Sequence, residues 1–152
     1  MKYCGTLISV VDMEKAKEFY EKVMEQKIVM DLGTHVSFEN GLSLQSDYDI
    51  LVGVDFEVHK QSNNFQLYFE VEDLDFWVAK LNSTKGIEFI HTKKEYPWGQ
   101  NVIRFYDYDR YIVEVSESMV SVAKRFLAQG LSIEETAERT MFPIDVIKQF
   151  MQ

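Results

Sequence analysis

Side chains capable of binding chemistry concentrate on one predicted strand in the second half of the chain. Alternation along residues 65–72 places Gln66, Tyr68 and Glu70 on one face and apolar side chains on the other. An aromatic ring beside amide and carboxylate groups suits a flat or amphipathic organic ligand. The same rings could instead fill the interior of a small barrel. Trp98 stands between a proline and a glycine at a hairpin tip, where it could cover a pocket or pack on a partner chain.

The other residue types that could do catalysis are scattered. The three histidines, His35, His59 and His91, have no His-x-x-x-His or similar metal-binding spacing, so we expect surface or hydrogen-bonded histidines. We find neither a phosphate-binding glycine loop nor a nucleophile elbow in the sequence. The single cysteine, Cys4, rules out an internal disulfide and is predicted to be a small core residue of the first strand.

The elements that must position these groups occur twice. Residues 7–12 and 67–73 are both strand-like, and each stretch is followed by a run with helical spacing. Asp12 and Asp73 stand at the junctions, where a carboxylate can accept from the free amides of a first helical turn. Short strand-like runs follow each helix. A repeated strand–helix–strands unit predicts two similar modules with a concave site between or beneath them.

The pattern of alternation and turn residues defines the predicted organisation. Strands are predicted at about residues 2–11, 27–31, 34–39, 41–46, 65–72, 87–95, 100–107 and 110–116. Residues 1–117 are predicted to form one domain with modules at about 1–46 and 65–117, joined by a connector at 47–64. From about residue 118 onward the hydrophobic residues recur with helical spacing, so residues 118–152 are predicted to form a helical extension.

Composition narrows the classes of partner and compartment. The chain has 152 residues and a net charge of −9, from 16 basic and 25 acidic residues. An acidic surface repels phosphate backbones, so we expect no nucleic-acid partner. The sequence has no apolar run long enough to cross a bilayer and no secretory signal at its start, so we expect no membrane partner. Together with the single cysteine, this favours a cytoplasmic protein.

Two stretches carry a family resemblance over about residues 2–116. They are Val10-Val11-Asp12-xxx-Ala16-xx-Phe19-Tyr20, and Pro97-Trp98-Gly99 followed by Phe105-Tyr106-Asp107-Tyr108-Asp109-Arg110-Tyr111-Ile112-Val113-Glu114-Val115. Both resemble motifs of the vicinal oxygen chelate superfamily, which includes glyoxalase I, bleomycin-resistance proteins and extradiol dioxygenases. The resemblance implies an α+β fold in which two βαβββ modules form an eight-stranded cup. The C-terminal helical appendage lies outside it.

The resemblance also implies positions for a divalent metal ion, held in some members by the first and last strands of each module. Here these positions fall on Gly5, near Ser43 or Gln45, on Gln66 and on Glu114. Gly5 has no side chain to offer, and neither residue at the second position is the usual acid. The Gln66 amide oxygen can ligate a hard cation. Glu114 could be a ligand or a general base, or simply a partly solvated acid lining a polar pocket.

The preferred prediction is therefore a small-molecule-binding protein that resembles the bleomycin-resistance type and lacks the full metal site. Its pocket would include Gln66, Tyr68, Trp98 and Glu114, and it would need no cofactor. A homodimer is expected by resemblance, because cups of that group are often completed across two chains. The alternatives are a metal-dependent lyase or isomerase resembling glyoxalase I (lactoylglutathione lyase-like), or a dioxygenase, with Gln66 and Glu114 on the metal. A third reading is an interaction module that docks a partner through its helical tail.

Overall fold

The structure is a computed structural model that describes residues 1–54 and 56–151. Asp55, in the predicted connector, and Gln152, at the end of the predicted extension, lie outside the described residues. The chain forms two compact units. Unit 1 comprises Met1–Phe65 with Tyr106–Tyr111, and unit 2 comprises Gln66–Phe105 with Ile112–Gln152.

Unit 1 contains one four-stranded mixed sheet with its helix. Its elements are β1 (Thr6–Ser9), α1 (Met13–Lys17) continued by a π-helical segment (Glu18–Val23), β2 (Ile28–Asp31), β3 (His35–Phe38), β4 (Leu42–Gln45) and α2 (Tyr48–Val52). The strand order is β1-β4-β3-β2, with β1 parallel to β4 and the other pairs antiparallel. Its core buries Phe19, Tyr20, Val36 and Leu44 completely.

The first helix begins where the sequence predicts. The carboxylate of Asp12 accepts from the backbone N–H of Lys15 at 3.1 Å, which satisfies a free amide of the first turn. The helix then widens, and the N–H of Met24 reaches back to the carbonyl of Phe19 at 2.9 Å. The predicted apolar face is buried. One consequence is that the hydroxyl of Tyr20 donates to Oδ2 of Asp107 at 2.6 Å.

Unit 2 repeats the plan and adds the C-terminal helices. Its elements are β5 (Gln66–Val71), α3 (Leu74–Ser83), β6 (Glu88–Glu95), β7 (Asn101–Tyr106), β8 (Ile112–Glu117), α4 (Met119–Ala128), α5 (Ile133–Thr140) and α6 (Ile144–Gln149). The strand order is β5-β8-β7-β6, with β5 parallel to β8. Asp73 caps α3 by accepting from the N–H of Phe76 at 2.9 Å, as the repeat predicts.

Local capping signals fix the C-terminal helices. The hydroxyl of Ser118 accepts from the N–H of Ser121, and Ser132 with Glu135 forms a reciprocal capping box at the start of α5. The three helices share a small apolar core of their own, built around Ala123, Ala137 and Ile147. Within the part of the chain that the structure describes, no helix has the length and apolar character needed to span a membrane.

The α+β class, the two βαβββ modules and the C-terminal helical appendage are confirmed. Two details were wrong. The first strand begins at Thr6 rather than at residue 2, because Gly5 has a φ of 151° that interrupts the extended backbone. Cys4 is therefore exposed before the strand and is not a core residue. The connector at 47–64 contains a short helix, α2, that was not predicted.

Candidate functional site

All four predicted pocket residues lie in unit 2, on or beside one face of its sheet. Gln66 and Tyr68 belong to β5 and Glu114 to β8, and the register pairs Tyr68 directly with Glu114. Trp98 lies in the hairpin between β6 and β7. Because β5 and β8 are adjacent parallel strands, alternation brings these side chains to a common surface.

The centre of this surface is a residue that the sequence did not single out, Arg104 on β7. Its Nε donates to Oε1 of Gln66 at 3.0 Å. Its Nη2 forms an ion pair with Oε2 of Glu114. The side chains of Arg104 and Glu114 are only 22% and 7% exposed, so the two charges compensate each other away from bulk water.

The third nitrogen of the guanidinium, Nη1, contacts His91 and Tyr96. It lies 3.0 Å from Nε2 of His91 and also donates to the hydroxyl of Tyr96. Since a guanidinium can only donate, Nε2 of His91 is the acceptor. The proton of the neutral imidazole is then on Nδ1, which lies 2.8 Å from the carbonyl of Thr92. The central guanidinium carbon of Arg104, Cζ, also lies 5.2 Å from the centre of the Tyr96 ring.

A second set of contacts joins Trp98 to Tyr68. The indole N–H of Trp98 donates to Oε1 of Gln100 at 2.9 Å, and Nε2 of Gln100 lies 3.3 Å from the hydroxyl of Tyr68. The same amide donates to the carbonyl of Glu117 at 2.8 Å. The Trp98 ring lies 4.9 Å from that of Tyr96, so both sets of contacts meet in the hairpin. Trp98 is thereby half-buried within its own unit.

Sequence reasoning missed four residues of this surface: His91, Tyr96, Gln100 and Arg104. One signal was available for Arg104, a lone cation within the apolar run of β7, beside the strand that carries Glu114. Opposite charges on neighbouring strands commonly pair across a sheet. The other three could not be assigned without the strand register and the path of the hairpin.

The arrangement fits a guanidinium better than a divalent ion. Gln66, His91 and Glu114 surround Arg104 at hydrogen-bonding distance, whereas metal ligands would have to approach one centre at about 2.0–2.6 Å. Over residues 1–54 and 56–151, no three His, Cys, Asp or Glu side chains are grouped so as to hold a metal ion. The residues of this surface therefore do not fit a divalent metal ion.

The family position at Gly5 cannot be filled by any substitution in this backbone. A Cβ built on Gly5 would lie 1.9 Å from the carbonyl oxygen of Gly41, far inside contact distance. The amide of Thr6 donates to the same oxygen at 3.1 Å, which holds the two segments together. This close approach, rather than chance, explains why the position carries glycine.

The two candidates for the remaining position, Ser43 and Gln45, belong to a polar ladder in unit 1. His35 lies between Oε1 of Gln45 and Oγ of Ser37, at 3.0 Å from each. The hydroxyl of Ser37 lies 2.9 Å from that of Ser43. These groups satisfy one another, as expected of a hydrogen-bonded histidine, and leave no acidic ligand among them.

Unit 1 also contains a cavity of about 420 Å³ that the sequence did not predict. Its lining is Ser9, Val10, Val11, Asp47, Tyr48, Asp49, Val58, Lys60, Gln61, Tyr108, Asp109, Arg110 and Tyr111. Burial raises the pKa of Asp109, although its carboxylate accepts from the N–H of Val11 at 2.9 Å. Tyrosine rings and charges of both signs make this a mixed polar and aromatic cavity, and none of the four predicted pocket residues lines it.

Comparison with known proteins agrees with this architecture. The family model of the glyoxalase-like domain matches residues 3–120. A crystal structure of a protein of unknown function from Agrobacterium tumefaciens is 30% identical, with 78% of this chain and 94% of that chain covered and a TM-score of 0.70. No curated protein matches the sequence significantly.

Two further solved structures show a likeness of fold alone. A lactoylglutathione lyase from Agrobacterium tumefaciens is 22% identical over 77% of this chain and 93% of that chain, with a TM-score of 0.62. A glyoxalase/bleomycin resistance protein/dioxygenase from Nocardioides is 20% identical over 77% and 83%, also with a TM-score of 0.62. With the family match over most of its length and its paired βαβββ modules, the chain belongs to the glyoxalase-like domain family of the vicinal oxygen chelate superfamily.

Proposed function

We propose that this protein binds a small organic molecule without a metal ion, in the manner of bleomycin-resistance-type members of its superfamily. The observation that carries the proposal is the position of Arg104. Its guanidinium contacts both Gln66 and Glu114, the two side chains best able to hold a metal by family resemblance. A fixed positive charge already compensates Glu114, so a divalent cation would be repelled and would find its ligands engaged.

The ligand would lie against the exposed part of this surface. Tyr68 is 50% exposed, and its hydroxyl donates to Oε1 of Glu70 at 2.6 Å, which orients the ring. Partial burial raises the pKa of Tyr68, and the hydrogen bond to Glu70 raises it further, so the phenol stays neutral at physiological pH. A neutral aromatic ring with nearby amide and carboxylate groups suits a flat or amphipathic molecule.

The charge of the ligand is restricted by the same contacts. Each nitrogen of the Arg104 guanidinium already contacts a group of the protein, and its charge is paired with Glu114. An anionic ligand would have to break that pair to reach the arginine. A neutral or weakly basic aromatic compound is therefore the class of ligand that this surface supports best.

The proposal extends to the assembly and setting of the protein. A homodimer in the cytoplasm is proposed, with no cofactor and with neither nucleic acid nor membrane as a partner. The half-exposed ring of Tyr68 supports a second chain near this face, and the net charge of −9 disfavours phosphate-rich surfaces. The metal-dependent lyase, isomerase and dioxygenase alternatives have less support, because each needs the ligands that Arg104 occupies.

The direct test is a thermal-shift screen of neutral aromatic compounds on the full chain, followed by calorimetric titration of each hit. Tyr68→Ala should weaken binding by about tenfold, the loss of one aromatic contact. Phe76→Ala is the matched control, because Phe76 is 54% exposed but lies on α3. Equal affinity of the two variants would overturn the proposed site, and a screen in which no compound stabilises the protein would count against small-molecule binding.

A further inference from the structure

The hairpin between β6 and β7 lies between the proposed ligand face and the C-terminal helices. Residues 96–100, here named the site hairpin, form a tight turn in which the N–H of Tyr96 donates to the carbonyl of Gln100 at 2.9 Å. Tyr96 and Gln100 extend to Arg104 and Tyr68, as described above. The opposite side of the turn, at Gly99, contacts α4. Any shift of this hairpin would therefore move the side chains that hold the ligand face.

The first contact with α4 is an aromatic ring packed directly on the turn. Gly99 has a φ of 85°, and a Cβ at this position would lie 2.2 Å from Cζ of Phe126. The ring of Phe126 thus occupies the volume that any larger residue at position 99 would need. Such a close fit defines one position for the hairpin relative to the helix.

The second contact is made by Arg125, the residue before Phe126. Its Nη2 donates to the carbonyl of Gly99 at 2.5 Å and to Oε2 of Glu117 at 3.0 Å. The same carboxylate oxygen accepts from the backbone N–H of Asn101 at 2.9 Å. One guanidinium therefore ties the tip of the site hairpin to its base, through hydrogen bonds that are partly buried and charge-assisted.

The outer contacts are weaker. Arg139 on α5 lies 3.2 Å from a carboxylate oxygen of Glu95, and Arg125 lies 3.8 Å from the other oxygen. Arg139 and Glu95 are about half exposed, so these pairs contribute little on their own. They place α5 beside the hairpin but do not determine where its tip lies.

We propose that the C-terminal extension is an internal support of the ligand face, in which Arg125 and Phe126 are positioning residues for the site hairpin. The extension lies almost entirely beyond the match to the family domain, which ends at residue 120. It is thus an addition by which this chain sets the geometry of Tyr96, Trp98 and Gln100. The proposal rests on the proposed function in one respect, that the supported face binds a ligand. The position of the hairpin itself can be measured without a ligand.

The experiment uses Trp98 as a reporter in the full chain. The protein has two tryptophans, so Trp77→Phe leaves Trp98 alone. In that background, Arg125→Met removes the hydrogen bonds to Gly99 and Glu117 but keeps an unbranched apolar stem. Loss of a charge-assisted hydrogen bond should raise the population of displaced hairpin by about tenfold. We expect red-shifted Trp98 emission and stronger acrylamide quenching.

Lys124→Met is the matched control, because it removes a cation from an exposed neighbouring position on the same helix. Arg125→Lys should give an intermediate result, since an ammonium reaches one of the two acceptors but not both in the same geometry. If Arg125→Met lowers the helical circular dichroism, Arg125→Lys becomes the variant that tests the position of the hairpin. Identical Trp98 emission and quenching in the Arg125 and Lys124 variants would overturn the proposal. Because no ligand is present, this outcome is distinct from a failed ligand screen.

Discussion

Arg104 and Glu114 form an ion pair on adjacent strands of the second sheet, and the glutamate side chain is 7% exposed. Glu114 is the residue that family resemblance predicts as a carboxylate ligand of a metal ion. A guanidinium supplies positive charge there as part of the chain. Two of its nitrogens, Nε and Nη1, also form directed hydrogen bonds that hold Gln66, His91 and Tyr96 around it.

The first prediction concerns the energy of this pair. Arg104→Met leaves Glu114 buried without its partner, and we expect the free energy of unfolding to fall by about 3–5 kcal/mol. The double variant Arg104→Met with Glu114→Leu removes both charges and should be more stable than Arg104→Met alone. Urea unfolding of the full chain measures both changes. The Glu114→Leu single variant completes the comparison. If the double variant lost as much free energy of unfolding as the two single variants added together, a direct pairing of Arg104 with Glu114 would be contradicted.

A second prediction follows from the contact between Gly5 and Gly41. Gly5→Ala forces its Cβ against the Gly41 carbonyl, so the two segments must separate and the bond from Thr6 is strained. We expect a loss of about 3 kcal/mol or more in the free energy of unfolding.

Gly33→Ala is the matched control for this prediction. Gly33 has a φ of 81° and no atom within 4 Å of an added Cβ, so only the backbone penalty of about 1–2 kcal/mol applies. Urea unfolding measures both variants. If Gly5→Ala and Gly33→Ala lose similar free energies of unfolding, the close approach of Gly5 to Gly41 is not what requires glycine at position 5.

The third prediction is a pH dependence centred on Asp107. Burial raises the pKa of Asp107 to about 6, although hydrogen bonds from Tyr20 and from the amide of Tyr111 lower it. Between pH of about 4 and 6 the native state keeps a proton that the unfolded chain has released. The stabilisation from this proton is therefore complete below the unfolded pKa of about 3.8 and is lost as pH rises through 6.

Asp107→Asn removes this titration while keeping an acceptor for the amides. Relative to the wild type, the variant should therefore gain stability as pH rises from 4 to 7, by at most about 3 kcal/mol. Asp145→Asn, at an exposed position on α6, serves as the control and should show no comparable trend. A constant difference between Asp107→Asn and the wild type across this range would refute the raised pKa.

The fold could be predicted because short-range sequence signals indicate its helices and strands. Asp12 and Asp73 mark the two helix starts by capping, and the alternating runs after them define strands. The π-helical widening after Lys17 and the exposure of Cys4 could not be read in this way. The widening depends on how the helix packs, and the exposure of Cys4 depends on the backbone at Gly5, whose close neighbour Gly41 is distant in sequence.

The candidate site was predicted only in part. Gln66, Tyr68 and Glu114 follow from strand alternation and family motifs, and the structure brings them to one surface. Arg104 lies on β7 beside β8, but its contact with Gln66 depends on the register between the non-consecutive strands β5 and β8, which side-chain periodicity does not specify. The link from Trp98 through Gln100 to Tyr68 likewise depends on the conformation of the hairpin.

The most direct test of the central claim is the metal content of the full-length protein purified without chelator, with and without added Zn²⁺, Ni²⁺ or Mn²⁺. Elemental analysis should find no stoichiometric metal in the wild type or in Glu114→Ala, because Arg104 holds the available ligands. Near-stoichiometric metal in the wild type that is lost in Glu114→Ala would contradict a metal-independent site. It would direct attention to lyase and dioxygenase chemistry instead.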